Sequence, residues 1–274
     1  MKKSISNAAF LMTFVAACAF RVSGPAWAAD EVGLQAHRAV YTAKLHNVRA
    51  AGNVATVDGT MIISLEKSCD GWIFAQQLAL DIGLSNGRTV RQEIRFAGWE
   101  ALDGKTYRFA SRETTRGQQL GFKGSARLSN GAIPGRADFT APQSKTVDLP
   151  AGTVFPISHT KKLIAAGRAG RHMEQRTVFE GSTIDGAQQV MAFIGQAQSP
   201  GPQDQETLGP LVMRPGWPVR MAVFPIGSQV AEPQFEIEVL QLDNGIARRM
   251  VLDLGEFSLL LDLGVVKAIA GSSC

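Results

Sequence analysis

Hydrophobic and polar residues alternate with a period of two along much of this 274-residue chain. Shorter stretches at 37–45, 90–96 and 235–239 show the pattern, and it returns after Gly245. The clearest row lies between positions 72 and 82 and consists of Trp72, Phe74, Gln76, Leu78, Leu80 and Ile82. One apolar face and one wet face are typical of strands in an antiparallel sheet. The pattern therefore predicts an all-β fold.

Asparagine-glycine and aspartate-glycine pairs separate these stretches. Such pairs tolerate the positive φ angles of tight hairpin turns. They predict a succession of hairpins, with turns at Asp58-Gly59, Asp70-Gly71, Asn86-Gly87, Asp103-Gly104, Asn130-Gly131, Asp185-Gly186 and Asn244-Gly245.

One segment departs from the alternation, and its pattern predicts a short helix over residues 156–168. Pro156 suits the first turn of a helix, and Leu163 and Ile164 share an apolar face. A helix of this length is only marginally stable alone, so we expect it to pack on the sheet. Residues 199–218 are rich in Pro, Gly and polar residues and predict a long surface loop.

The N-terminal residues resemble an export signal. Lys2 and Lys3 precede an apolar stretch at 8–20, and Ala26-Trp27-Ala28 has the small-x-small pattern that signal peptidase recognises. The apolar stretch is shorter than a membrane-spanning helix requires. We therefore expect residues 1–28 to be a signal peptide cleaved near Ala28, and residues 29–274 to be a single periplasmic β domain.

A second form of processing competes with this interpretation. Val15-Ala16-Ala17-Cys18 resembles a lipobox, in which Cys18 would be lipidated and become the mature N-terminus. The well-formed cleavage site ten residues later argues against this alternative. Neither form of processing makes the mature chain span a membrane.

Removing residues 1–28 changes the charge and the cysteine count. Lys+Arg falls from 28 to 25 against 24 Asp+Glu, so the net charge falls from +4 to +1. No run of cations indicates a nucleic-acid surface. Cys69 and Cys274 remain, and an even count in an exported protein favours a disulfide, although the residues alone leave two free thiols open.

No catalytic signature is present. The chain lacks the hydrolase elbow, the dinucleotide and phosphate loops and the zincin motif. None of the four histidines has a second ligand at helical or strand spacing, so we expect no metal and no cofactor. His159, at the edge of the predicted helix, could line a cavity. An enzyme would require an acidic partner beside it.

Several short motifs, in order, resemble the EipB family of periplasmic cell-envelope integrity proteins of alphaproteobacteria. They are the row at 37–41, Ser68-Cys69-Asp70-Gly71-Trp72, Phe155-Pro156 with His159-Thr160, Trp217-Pro218-Val219-Arg220, and Asp243-Asn244-Gly245 before a terminal cysteine. The resemblance implies an antiparallel β-spiral, a broken barrel like the lipoprotein carriers LolA and LolB. It also implies a Cys69–Cys274 disulfide, no enzymatic activity, a role in stress resistance and a genetic link to a periplasmic tetratricopeptide-repeat protein.

These observations favour a non-enzymatic periplasmic protein that maintains the envelope by binding a protein partner or an apolar ligand on a curved sheet. The alternative is a lipid or lipoprotein carrier of the LolA/LolB type. The carrier alternative predicts an apolar cavity, and the residues that could line a cavity or contact a ligand are Trp72, Phe74, His159 and Leu163.

Overall fold

A computed structural model describes residues 32–49, 52–130 and 133–271. The expected signal peptide, Cys18 and Cys274 lie outside this part of the chain. The described part contains fourteen strands, two α-helices and one 3-10 turn. The strands are β1 (His37–Val48), β2 (Val54–Lys67), β3 (Gly71–Leu84), β4 (Thr89–Ala101), β5 (Thr106–Thr115), β6 (Gln118–Arg127), β7 (Gly135–Ala141), β8 (Lys145–Leu149), β9 (Met173–Val178), β10 (Gln188–Ile194), β11 (Gly216–Pro225), β12 (Phe235–Leu242), β13 (Ala247–Asp253) and β14 (Phe257–Ala268). The helices are α1 (Pro156–Arg168) and α2 (Pro202–Leu208).

All fourteen strands belong to one antiparallel sheet. Strands that follow each other in the chain pair with each other from β1 to β8 and from β9 to β14. β1 also pairs with β14, which joins the two runs into a single sheet. β8 and β9 are its two edges, and they do not pair with each other in the described part. The predicted all-β antiparallel fold is confirmed, and the sheet is unclosed.

Most of the predicted turns that the structure describes lie between strands, and Gly131 of the predicted turn at Asn130-Gly131 lies outside the described residues. Gly87, Gly104, Gly186 and Gly245 adopt positive φ, as hairpin turns require. The turn at Asp58-Gly59 was predicted wrongly, because Gly59 lies inside β2 and pairs with Leu80 of β3. A Cβ at Gly59 would lie 2.3 Å from the carbonyl oxygen of Ala79. Glycine is needed there for a close approach of two strands rather than for a turn.

Helix α1 has the predicted bounds and lies in the connection between the two edge strands. Leu163 and Ile164 are buried in the main core, together with residues of β1–β4 and β10–β14. Gly167 packs against the ring of Trp217 at the start of β11, where a Cβ would lie 2.7 Å from Cδ2. The helix is therefore held by its apolar face against the sheet, as its marginal intrinsic stability requires.

A second, aromatic core fixes the segments that flank α1. Tyr107 on β5 stacks on Phe155, the residue before the helix, with ring centroids 5.0 Å apart. Phe109 on β5 meets Phe179, the residue after β9, edge to face at 5.4 Å. Such pairs contribute about 0.5–1.5 kcal/mol each beyond the area they bury. Phe155 and Phe179, which flank the segment made of α1 and β9, are thus both attached to the inner face of β5.

The predicted loop at 199–218 is partly ordered into regular structure. It contains α2, the 3-10 turn Pro210–Val212 and the start of β11. The Asp204 side chain accepts a hydrogen bond from the backbone N–H of Gly201 at 3.1 Å and pairs with Arg248 at 2.9 Å. Leu208 is buried, so tertiary packing stabilises a helix in a segment whose composition alone indicated a loop.

Candidate functional site

A hollow of about 450 Å³ lies between the first turn of α1 and the inner face of the sheet. Most of its lining side chains are apolar, and they come from β1–β3 and β9–β13. Representative apolar members are Met61, Ile63, Phe74, Val178, Val190, Met221, Phe235, Ile237, Met250 and Leu252. A volume of this size lies in the range of ligand-binding cavities.

A cross-strand row forms one wall of the hollow. Met221 of β11 lies directly opposite Ile237 of β12, and Ile237 lies opposite Leu252 of β13. Their neighbours Arg220, Glu238 and Val251 point to the other face, because successive side chains of a strand alternate. The alternation seen in the sequence therefore supplies a continuous apolar strip inside the sheet.

Several polar side chains on the wall are already hydrogen-bonded to protein. The hydroxyl of Tyr41 donates to the carbonyl of Ala247 at 2.8 Å, and the amide of Gln188 donates to Gln234 at 2.9 Å. Nδ1 of His37 lies 2.7 Å from the carbonyl oxygen of Gln35, and burial lowers the pKa of this histidine. These groups are satisfied internally, so the hollow offers a ligand mainly apolar contacts.

His159 contributes the imidazole of the first helical turn to the hollow. It is buried, and burial lowers its pKa to about 4, with Glu174 acting to raise it and Arg176 to lower it. Glu174 is held by Arg171 at 3.1 Å and by Arg176 at 2.5 Å. At neutral pH His159 is therefore uncharged, and its imidazole makes no hydrogen bond to any residue that the structure describes.

The carboxylate of Glu100 positions this first turn, and the sequence analysis did not identify it. It accepts hydrogen bonds from the backbone N–H groups of Ile157 at 2.7 Å and Ser158 at 2.9 Å, and from the Ser158 hydroxyl. Burial raises the pKa of Glu100, while these hydrogen bonds act to lower it. In the sequence, Glu100 occupies an inward-facing position of β4, two residues after Gly98 and four after Phe96. A carboxylate in that apolar row is the signal that could have identified it.

Of the four residues expected to line a cavity, two lie on the hollow and two do not. Phe74 and His159 lie on the wall of the hollow. Trp72 is buried in a small cluster with Leu65 and Ile157, and Leu163 is buried in the main core.

Cys69 lies in the bend between β2 and β3. Because Cys274 is outside the described residues, the expected disulfide stays a prediction.

Among the described residues, no group of three or more His, Cys, Asp or Glu side chains is arranged to hold a metal ion. Neither α1 nor α2 is long and apolar enough to cross a membrane.

The fold and the hollow define a β-barrel-like protein with an unclosed sheet and an internal apolar space. The EipB-like family profile matches residues 28–270, and the chain belongs to this family. This confirms the resemblance found in the sequence.

Two relatives agree with this assignment. The chain is 28% identical over 245 residues to the cell envelope integrity protein EipB of Brucella abortus (strain 2308), a match that covers 86% of this chain and 85% of the relative. It is also similar to a crystal structure of a β-barrel-like protein of a domain of unknown function from Brucella abortus. The TM-score is 0.79 and the identity 25%, and the match covers 87% of this chain and 99% of the other.

Proposed function

We propose that this chain is a non-enzymatic periplasmic protein that maintains envelope integrity by holding an apolar ligand in the hollow beneath α1. The relative's name, cell envelope integrity protein, supports the physiological role. The apolar row formed by Met221, Ile237 and Leu252 is the observation that carries the molecular role.

The chemistry of the wall favours a narrow apolar molecule such as an acyl chain. Burying each methylene group contributes about 0.8 kcal/mol, so a chain of several carbons would be retained without any charged contact. The neutral imidazole of His159 supplies one polar contact near the helix. A charged ligand group would have to remain in contact with water, outside the apolar wall.

We propose no enzymatic activity because the Glu174 carboxylate, which lies near His159, forms ion pairs with arginines. Its two carboxylate oxygens pair with Arg171 and Arg176, so it is not engaged by the His159 imidazole. An acid–base pair would require the histidine and the carboxylate to be hydrogen-bonded to each other.

The proposal also includes three features that the sequence predicted. They are cleavage of the leader near Ala28, one β domain over residues 29–274, and a disulfide from Cys69 to Cys274. A periplasmic tetratricopeptide-repeat protein is the proposed protein partner.

A bulky residue in the hollow tests ligand binding. In Ile237→Trp the indole would occupy the space between Met221 and Leu252. Val251→Trp is the matched control, because Val251 lies on the opposite face of β13, next to Leu252. Native mass spectrometry of protein purified from envelopes would detect bound lipid, and a fluorescent fatty acid would give the affinity.

We expect wild type and Val251→Trp to carry lipid and to restore detergent resistance to a deletion strain. Ile237→Trp should do neither while folding normally. Equal fatty-acid binding by Ile237→Trp and wild type would contradict the proposal, as would an unchanged detergent sensitivity after deletion.

A carrier of the LolA/LolB type is the second candidate. The unclosed sheet favours it, because β8 and β9 do not pair with each other and the sheet can therefore widen to exchange a ligand. Transfer of a fluorescent acyl lipid between two vesicle populations would distinguish the two roles. A carrier accelerates transfer, whereas a protein that only retains its ligand does not.

A further inference from the structure

The outer face of β4–β7 carries a concentration of cations. Seven cationic side chains point outward from these four strands, against two outward carboxylates, Glu93 and Asp138. We call this surface the basic face, and its cations are Arg91, Arg95, Arg108, Arg112, Lys123, Arg127 and Arg136. Residues 29–274 together carry only 25 cations against 24 carboxylates, so the charge is distributed unevenly.

Pairing of the strands places cations directly opposite each other. Arg95 of β4 lies opposite Arg112 of β5, and Arg127 of β6 lies opposite Arg136 of β7. Like charges in directly opposed positions destabilise a sheet. Binding of an anion to this face would explain why the chain keeps an arrangement that opposes folding.

The two carboxylates neutralise only part of the face. Glu93 pairs with Arg91 at 3.1 Å and Arg95 at 3.6 Å, and Asp138 pairs with Arg136 at 2.9 Å. No carboxylate in the described part of the chain forms an ion pair with Arg112, Lys123 or Arg127. These three cations stay available to an external anion.

A surface depression of about 590 Å³ lies within the basic face. Arg108, Arg127 and Arg136 line it together with Ser125 and Ser129, and the Ser129 hydroxyl donates to the carbonyl oxygen of Pro134 at 2.9 Å. Asp138 also lines it, but one of its oxygens is engaged by Arg136 and by Thr146 at 2.7 Å. Three guanidinium groups lining one depression suit the oxygens of a phosphate group.

An apolar margin adjoins the depression. Arg108 lies over the ring of Trp99 at 4.8 Å, and Trp99 pairs across the strands with Ile73, which is 38% exposed. Tryptophan is enriched at membrane interfaces, where one part of the ring meets lipid and another meets water. An indole beside several cations matches the composition of a surface that meets lipid headgroups.

We propose that the basic face docks this protein on a bilayer surface rich in anionic phospholipids, with one headgroup phosphate in the depression between Arg108, Arg127 and Arg136. The docking goes beyond ligand binding, because the hollow lies on the opposite, inner face of the sheet. The sequence shows no run of cations, since the seven are spread over four strands and meet only through strand pairing.

Vesicle co-sedimentation tests the docking with the full-length mature protein. Vesicles of phosphatidylcholine alone are compared with an equimolar mixture of phosphatidylcholine and phosphatidylglycerol, at low and at physiological salt. The test variants are Arg95→Gln with Arg112→Gln, and Arg127→Gln with Arg136→Gln. The matched control is Arg220→Gln with Arg249→Gln, which removes the same charge from the outer face of β11 and β13, where carboxylates neighbour both arginines.

We expect binding to the anionic vesicles only, weakened by salt. Each cation near such a surface contributes about 1 kcal/mol, so either test pair should lower the affinity roughly 25-fold, and the control pair should change it far less. Equal binding to the two vesicle types, or an equal loss in the control, would overturn the proposal. So would complete competition by millimolar inorganic phosphate, which would indicate a small-anion site instead. Ile237→Trp should dock like wild type, so the docking and the proposed function can fail separately.

Discussion

The Glu100 carboxylate on β4 accepts a hydrogen bond from the backbone N–H of Ile157 in the first turn of α1, at 2.7 Å. The two residues are 57 positions apart. Helix α1 has no acidic residue in its own first turn, and Phe155, at its N-cap, supplies no side-chain hydrogen bond. A strand thus provides the negative charge and the acceptor that a helix N-terminus needs. The same bond positions the turn that carries His159 over the hollow.

Removing the Glu100 carboxylate should destabilise the fold. Glu100→Ala leaves the N–H groups of Ile157 and Ser158 without their acceptor, and an unsatisfied buried donor costs about 1–3 kcal/mol. We expect the free energy of unfolding, measured by urea denaturation, to fall by about 2–3 kcal/mol. Glu93→Ala on the same strand removes only exposed ion pairs and should change it by about 0–1 kcal/mol. Equal stability of the two variants would show that the bond to the helix contributes nothing.

Stability should also depend on the protonation of His159. Its pKa is lowered from 6.5 to about 4 by burial, so the unfolded chain binds the proton more tightly between these values. The stability that the neutral imidazole contributes is present above pH 6.5 and is lost as the pH falls through 4. The full effect is about 3 kcal/mol.

His159→Gln tests this dependence, because glutamine does not titrate. Urea denaturation between pH 4 and 7 should give a shallower fall in the free energy of unfolding for His159→Gln than for wild type. Some slope should remain, because burial also lowers the pKa of His37. His46→Gln, a change at an exposed position, is the matched control substitution. Parallel curves for wild type and His159→Gln would rule out a titrating role for His159.

The local pattern of hydrophobic and polar residues was sufficient to predict most of the sheet and helix α1. The row from Trp72 to Ile82 encodes β3 because its period of two is set by the backbone, and Pro156 marks the start of a helix by its fixed φ. Asp58-Gly59 was misread because glycine serves close strand approach as well as turns. A short stretch of sequence does not distinguish a glycine in a turn from a glycine at a close approach of two strands.

The candidate site depended on contacts between distant residues. Phe74 lies on the hollow and Trp72 does not, although both belong to one row, because the start of α1 covers Trp72 through Ile157. The Glu100 bond to α1 joins elements that no local pattern connects. Arg95 and Arg112 likewise lie opposite each other only because of the register in which β4 pairs with β5.

A single methyl group should test the packing of α1 on the sheet. Replacing glycine with alanine inside a helix usually stabilises it by up to about 1 kcal/mol. At Gly167 the added Cβ would lie 2.7–2.9 Å from three atoms of the Trp217 ring, which is itself buried. We therefore expect Gly167→Ala to lower the free energy of unfolding by about 1–3 kcal/mol.

Gly33→Ala is the control for that change, because nothing lies within 4 Å of the added Cβ. Its effect should stay within about 0.5 kcal/mol. If Gly167→Ala raised the melting temperature instead, the helix would not be packed against Trp217 as closely as the structure shows.

The predicted disulfide between Cys69 and Cys274 gives the last test. Closing so long a loop removes denatured-state entropy worth about 5 kcal/mol in the chain-entropy model, and measured values are often smaller. Cys69→Ser or Cys274→Ser should therefore lower the melting temperature of the oxidised protein. Adding a reductant should lower it for wild type and leave both variants unchanged.

Peptide mapping of the protein isolated from the periplasm under non-reducing conditions checks the bond itself. A cross-linked peptide containing both cysteines is the expected product, since only these two would remain after the proposed cleavage near Ala28. Melting curves of wild type that coincide with and without reductant, together with two alkylated thiols, would rule out the bond. The sheet would then be held by its strand pairing and its apolar packing alone.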